Sequence, residues 1–257
     1  MSFIISTQAE ILKTKRTASF WLSIIVAAFI PIILFIALSV DSDAQQNMAK
    51  EPWSKFMNLG WQILAVFLLP VYIILVSTLV AQIEFKNNTW KQVFASPQSV
   101  ANIFFSKFIA IQIMIISCYL MFNMLMILSA VLGNLFNPGY NFLSTSPDWE
   151  KLLQLNIRTY ISILGISAIQ YCLSLRFKNF IAPVGIGLAL VVGSIIAMNY
   201  QWQHLDKYPY AFPSLSFDSI QKTGKGYIAD HELYSVGYFL LFISIGFLDM
   251  KMRKEKG

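Results

Sequence analysis

The sequence predicts an all-α polytopic membrane protein, six spanning helices forming one transmembrane domain over residues 1–257. Three observations carry that prediction. Charged residues make up 12% of the chain, against roughly 25% in an ordinary globular protein. Apolar residues make up 56% and the mean hydropathy is +0.60, so a water-soluble fold would leave large apolar patches on its surface. The apolar residues also come in long continuous blocks, not in the short apolar–polar alternations of an outer-membrane barrel, which specifies helices. Disorder is excluded by the aromatic content of 15%, because disordered segments are poor in such residues.

The leader, 1–16, has an imperfect helical stripe. Ile4, Ile5, Ala9, Ile11 and Leu12 fall on one half of the wheel and Ser6, Thr7, Glu10, Lys13 and Thr14 on the other, with Gln8 misplaced on the apolar side. This reads as a helix lying in the membrane interface. About 20 apolar residues, at 1.5 Å each, cross a hydrocarbon core of roughly 30 Å. Runs at about 17–40, 60–83, 108–132, 157–175, 181–199 and 234–250 meet or approach that length, the last being the shortest. The first has 24 residues and follows Lys13, Lys15 and Arg16, so it reads as an uncleaved anchor and not as a signal peptide. Trp21, Trp61, Trp149, Tyr200, Trp202 and Tyr234 lie near span ends, where amphipathic rings favour the headgroup layer. Lys107 and Arg158, near the ends of the third and fourth spans, are expected to snorkel to the interface. Cys118 and Cys172 sit inside apolar stretches and read as small buried hydrophobes.

Basic residues set the expected orientation, because Lys and Arg are retained on the cytoplasmic side. In the six-span arrangement twelve fall on the side of the termini and seven on the other; with acids counted, the sides carry +8 and −2. Both termini are therefore expected in the cytoplasm, and topology accounts for the net charge of +6 without nucleic acid.

Several function classes lack their residues. The spans hold no Asp or Glu in their central thirds, where ion-coupled carriers place ionisable groups. Gln62, Gln112, Asn123 and Gln170 remain, read first as helix-to-helix hydrogen bonds and second as a substrate path. No paired acids or Ser–His arrangement is visible at membrane depth, so no catalytic residue and no metal ligand is assigned. His204 and His231 fall in the long loop 200–233 and read as solvated. That loop is too long and aromatic for a simple connector. Its Thr223-Gly224-Lys225-Gly226 lacks the spacing of a phosphate loop. Energy for uphill movement must therefore come from another polypeptide.

The loop 84–97, Glu84-Phe85-Lys86-Asn87-Asn88-Thr89-Trp90-Lys91-Gln92-Val93-Phe94-Ala95-Ser96-Pro97, carries more information. Asn88 is placed to cap a short helix whose Trp90, Val93 and Phe94 share one face. Glu84 is expected near its positive dipole end, and Ser96 and Pro97 to stop it and start the next helix. An amphipathic helix with an aromatic knob suits docking into a groove on a soluble partner; a helix resting on lipid is the alternative.

With its leader Glu10-Ile11-Leu12-Lys13-Thr14-Lys15-Arg16, its six spans and this loop, the chain resembles the permeases of type-2 ATP-binding-cassette exporters. The nearest flavour is the bacterial branch of bacitracin resistance and lantibiotic immunity. The resemblance implies that 84–97 is a coupling segment contacting an ATPase, with Glu84, Thr89, Trp90, Val93 and Phe94 as its contact residues. It implies two permease subunits with two ATPase subunits in the bacterial cytoplasmic membrane, ATP and Mg being bound by the ATPase and no cofactor by this chain. In the fifth span Gly185, Ala189, Gly193 and Ala197 form a small-residue ridge for close helix packing, within the subunit or, as the resemblance favours, between two subunits. The expected function is outward passage of a hydrophobic or amphipathic substrate, a peptide antibiotic or lipid-like molecule, by alternating access. A non-transport membrane scaffold or sensor is the alternative.

Overall fold

The structure, a computed structural model, describes residues 3–40, 51–223 and 228–255. Gly224, Lys225 and Gly226 of the long loop, and Lys50 and Lys256 among the basic residues counted for orientation, lie outside the described residues. Among the described residues the regular structure is entirely helical. We number the α-helices α1 (Phe3–Thr14), α2 (Ala18–Val40), α3 (Pro52–Lys86), α4 (Trp90–Ala95), α5 (Val100–Phe136), α6 (Trp149–Arg176), α7 (Ile181–Asn199), α8 (Phe212–Thr223) and α9 (Asp230–Glu255). Six of them, α2, α3, α5, α6, α7 and α9, are long and apolar enough to cross a bilayer.

The six run alternately up and down. One end of the bundle carries α1, α4 and the turn after Arg176; the opposite end carries α8. α6 packs on α9, α3 and α8, α2 packs on α5, and α1 lies against the first turns of α5. The buried centre holds Trp61, Tyr72, Phe104, Phe122 and Tyr171. Large apolar side chains such as Ile25, Phe29, Leu120 and Leu240 stay exposed on the outer faces, as a lipid-facing surface requires.

Local chemistry explains the boundaries. At Pro70, α3 cannot donate a backbone hydrogen bond, and the turn just before it, Leu64–Leu68, widens to π-helix, which relieves the clash of the ring with the preceding turn. α3 ends in a Schellman arrangement. Thr89 N–H donates to the Glu84 carbonyl at 3.0 Å and Asn88 N–H to that of Phe85 at 3.3 Å, with Asn88 left-handed at φ 53°. Asn88 therefore terminates α3 and does not cap α4; the N-cap of α4 is Thr89, without a side-chain bond. Ser96 is extended, as the residue before proline must be, but α5 starts later than Pro97, at Val100, with Ser99 Oγ accepting from Asn102 N–H at 3.1 Å.

Four helices, α3, α5, α6 and α9, outrun their apolar runs by several residues. Since α3 begins at Pro52, Trp61 is inside it, wholly buried and stacked on Tyr119 at 5.7 Å, and is not an interfacial ring. α9 begins at Asp230 because its polar first turn is satisfied internally: Glu232 reaches back to the Ala229 N–H at 2.9 Å, half of a capping box.

Candidate functional site

At the α4 end, four charged side chains from three segments meet. Lys107 of α5 is 1% exposed and donates to Glu10 of α1 at 2.6 Å and to Glu84 of α3 at 2.8 Å. Lys13 closes the ring, donating to Glu10 at 2.5 Å and Glu84 at 3.1 Å. Two carboxylates face two ammonium groups, so the burial is charge-balanced and every ion has two partners, the condition under which a buried ionic cluster is tolerable. Lys107 does not snorkel, because the two acids give it a better partner than headgroup water. Burial alone would raise the Glu10 carboxyl, but Lys107 and then Lys13 outweigh it and hold its pKa below the usual value. Burial would lower Lys13, but Glu10 and Glu84 hold it above its usual value.

This cluster explains how α1 sits. Its inward stripe is the polar one, Ser6, Glu10 and Thr14, while Ile4, Ile5 and Leu12 point away from the protein. Ser6 Oγ also donates to Gln98 Oε1, just before α5, at 3.3 Å. The leader is thus amphipathic in the membrane sense, polar side to the protein and apolar side outward.

Glu84 links the cluster to α4. Its side chain holds α5 and α1 while its carbonyl receives Thr89 N–H, so the start of α4 is anchored to the same residue. Trp90 stacks on Phe94 at 5.4 Å and meets Phe85 at the same distance. Trp90, Val93 and Phe94 are half-buried against the bundle, whereas Lys91, Gln92 and Ala95 are exposed. The aromatic stripe thus does not project as a free knob; it braces α4, and the opposite face is open. A cleft of about 1000 Å³ lies between α4 and the ends of α6 and α9.

The ridge on α7 points away from the subunit's own core. The buried face of α7 is Pro183, Gly187, Val191 and Ser194. Gly185 and Ala189 are exposed, Gly193 and Ala197 half-buried. A Cβ on Gly185 would meet nothing within 4 Å and one on Gly193 only the Tyr208 hydroxyl at 3.2 Å, whereas one on Gly187 would collide with Gln170 at 2.3 Å and Ile74 at 2.9 Å. The close approach within the subunit is therefore at Gly187, a glycine outside the four-residue spacing.

At the opposite end Arg158 does not snorkel either. Its Nε donates to Glu232 at 2.8 Å and its Nη2 to Ser219 at 3.0 Å, tying α6 to α9 and α8. Ser216 donates to Glu232 at 2.9 Å and pairs with His231 Nε2 at 3.0 Å. His231 is buried, not solvated, while His204 is exposed. Glu232 lies 3.9 Å from the same imidazole nitrogen that Ser216 uses, not across the ring from it as an activated serine requires. In the bundle interior Gln112 pairs with Ser167 and Tyr160, Asn123 with Asn156, and Gln170 with Tyr210, while Gln62 is exposed. Among the described residues no group of acids, histidines and cysteines could hold a metal ion. The residues that sequence reasoning missed, Lys107, Arg158 and Glu232, share one signal: charges placed beside apolar runs whose partners lie far along the chain.

No curated protein and no solved structure matches the chain. A protein family described as ABC-2 family transporter protein matches residues 6–194, the stretch that includes the ion cluster, α4, the first four spans and most of the fifth. Such permeases are membrane transport components that work with an ATP-binding-cassette partner. The chain belongs to the ABC-2 family of transporter membrane proteins.

Proposed function

We propose that this chain is the permease subunit of an ATP-driven exporter in a bacterial cytoplasmic membrane, with both termini in the cytoplasm. Two copies, or one copy and a homologue, pair with two ATPase subunits that bind ATP and Mg. The substrate is hydrophobic or amphipathic and moves outward by alternating access, as in the bacitracin-resistance and lantibiotic-immunity branch.

The observation that carries the reading is the Glu84–Lys107–Glu10–Lys13 cluster. A segment that transmits force must not yield locally, and Glu84 joins the start of α4 to α5 and α1 through a buried, fully paired network. Motion imposed on α4 therefore reaches two other helices. Glu84, Thr89, Trp90, Val93 and Phe94 are the proposed coupling residues, the aromatics acting as the brace behind the docking face.

The test is copurification of the ATPase and drug efflux in cells. Trp90→Ala with Phe94→Ala removes the brace behind the docking face and should weaken both copurification and efflux. Ala95→Glu alters the exposed face without touching the stack and should weaken the complex while leaving thermal stability intact. Normal copurification and efflux in both variants would leave α4 as a connector on the membrane surface and remove the exporter reading's main support.

A further inference from the structure

The cleft between α4, α6 and α9 has a composition that the ion cluster does not use. Its walls include Phe85, Trp90, Phe94, Cys172, Phe242 and Ile245, and its rim carries Lys91, Arg176 and Lys178. Arg176 pairs with Asp249 at 3.3 Å, and Glu84, the other acid on the wall, is held by Lys107 and Lys13. Lys91 and Lys178 are exposed, and among the described residues neither is paired with an acid. Two positive charges thus stand uncompensated over an apolar slot.

The slot runs along α6 from Arg176 to Ile169, about 10 Å at 1.5 Å per residue. Both α6 and α9 cross the membrane, so its mouth is at headgroup level and its depth at the level of the first acyl carbons. Water in the slot would wet aromatic surface, and a free phosphate would leave the apolar depth empty. A zwitterionic lipid would bring its own cation to the two lysines.

We propose that this slot binds an anionic phospholipid, one acyl chain lying against Trp90, Phe94 and Phe242 and the phosphate between Lys91 and Lys178. The site is built from α4 and the membrane-spanning α6 and α9 and needs no ATPase.

Trp90 is a reporter within the slot. The protein is reconstituted in phosphatidylcholine vesicles containing a small fraction of brominated phosphatidylglycerol or, separately, brominated phosphatidylcholine; the Trp90→Phe protein supplies the signal of the other tryptophans. Quenching of the Trp90 component is expected to favour the anionic lipid by about fivefold for each lysine, the usual gain for a basic residue at an anionic membrane surface. Lys178→Glu should remove most of that preference and Lys91→Glu with Lys178→Glu should abolish or reverse it, while the signal from the other tryptophans is unchanged. Equal quenching by both lipids, a preference that survives the double reversal, or no quenching of Trp90 by either lipid would each overturn the proposal. Copurification of the ATPase with the Lys178→Glu protein is scored separately, so loss of lipid preference with retained ATPase distinguishes the slot from the docking face.

Discussion

At Lys107 three segments separated by up to 97 positions in sequence meet on one ammonium group. Replacing it with Met keeps the stem but leaves Glu10 and Glu84 facing each other with only Lys13 between them. Breaking a buried pair by removing one partner costs about 3–5 kcal/mol, and a comparable loss is expected in thermal unfolding in detergent. The pH profile identifies the cause. Glu10 is held below its usual value, so its contribution is present above the ordinary carboxylate range and is lost as pH falls through the lowered value. Lys13 is held above its usual value, so its contribution is present below the ordinary lysine range and is lost as pH rises through the raised one. The wild-type protein should therefore lose stability toward strong acid, and Lys107→Met should flatten or reverse that acid limb. An unchanged acid limb in the variant would mean that the cluster does not hold α1 and α3 together.

At the scale of elements, α7 presents two different small-residue faces, and substitution separates their roles. A Cβ on Gly187 would overlap Gln170 and Ile74, so Gly187→Ala should cost about 1–3 kcal/mol of subunit stability, as overpacking does. Gly185 opens on empty space, so Gly185→Leu should leave the subunit as stable as before. If the Gly185, Ala189, Gly193 and Ala197 ridge packs against a second permease, the same change should convert dimer to monomer by size-exclusion chromatography with light scattering. A stable dimer in Gly185→Leu would make this ridge a lipid-facing surface. The glycine spacing was readable in the sequence, but which glycine is crowded was not, because the crowding atoms come from α3 and α6.

For the whole molecule, the testable quantity is orientation. The α4 end holds Lys13, Lys15, Arg16, Lys86, Lys91, Arg176 and Lys178 among the described residues, and an excess of Lys and Arg marks the cytoplasmic side. In a background lacking Cys118 and Cys172, single cysteines at Lys15 and Lys91 should resist a membrane-impermeant thiol reagent in intact cells, and one at Lys222, exposed in the last turn of α8, should react. Labelling of the Lys91 position from outside would invert the protein and place α4 where no ATPase can reach it.

The sequence by itself determined the helical class, the number of membrane-crossing segments and the family, because span length, the absence of alternation and the order of leader, spans and loop are properties of consecutive residues. Hydrophobic periodicity is likewise local, so the shared face of Trp90, Val93 and Phe94 was legible. What only the tertiary structure decided was which way faces point and where charges go. The polar stripe of α1 turned inward because Glu10 found Lys107, and Arg158 stayed buried because Glu232 lies opposite it across α6 and α9. His231 followed its neighbour into the same cluster. Each partner is supplied by a remote segment, and in a low-dielectric surround an ion's position is set by its partner, not by the apolar run beside it.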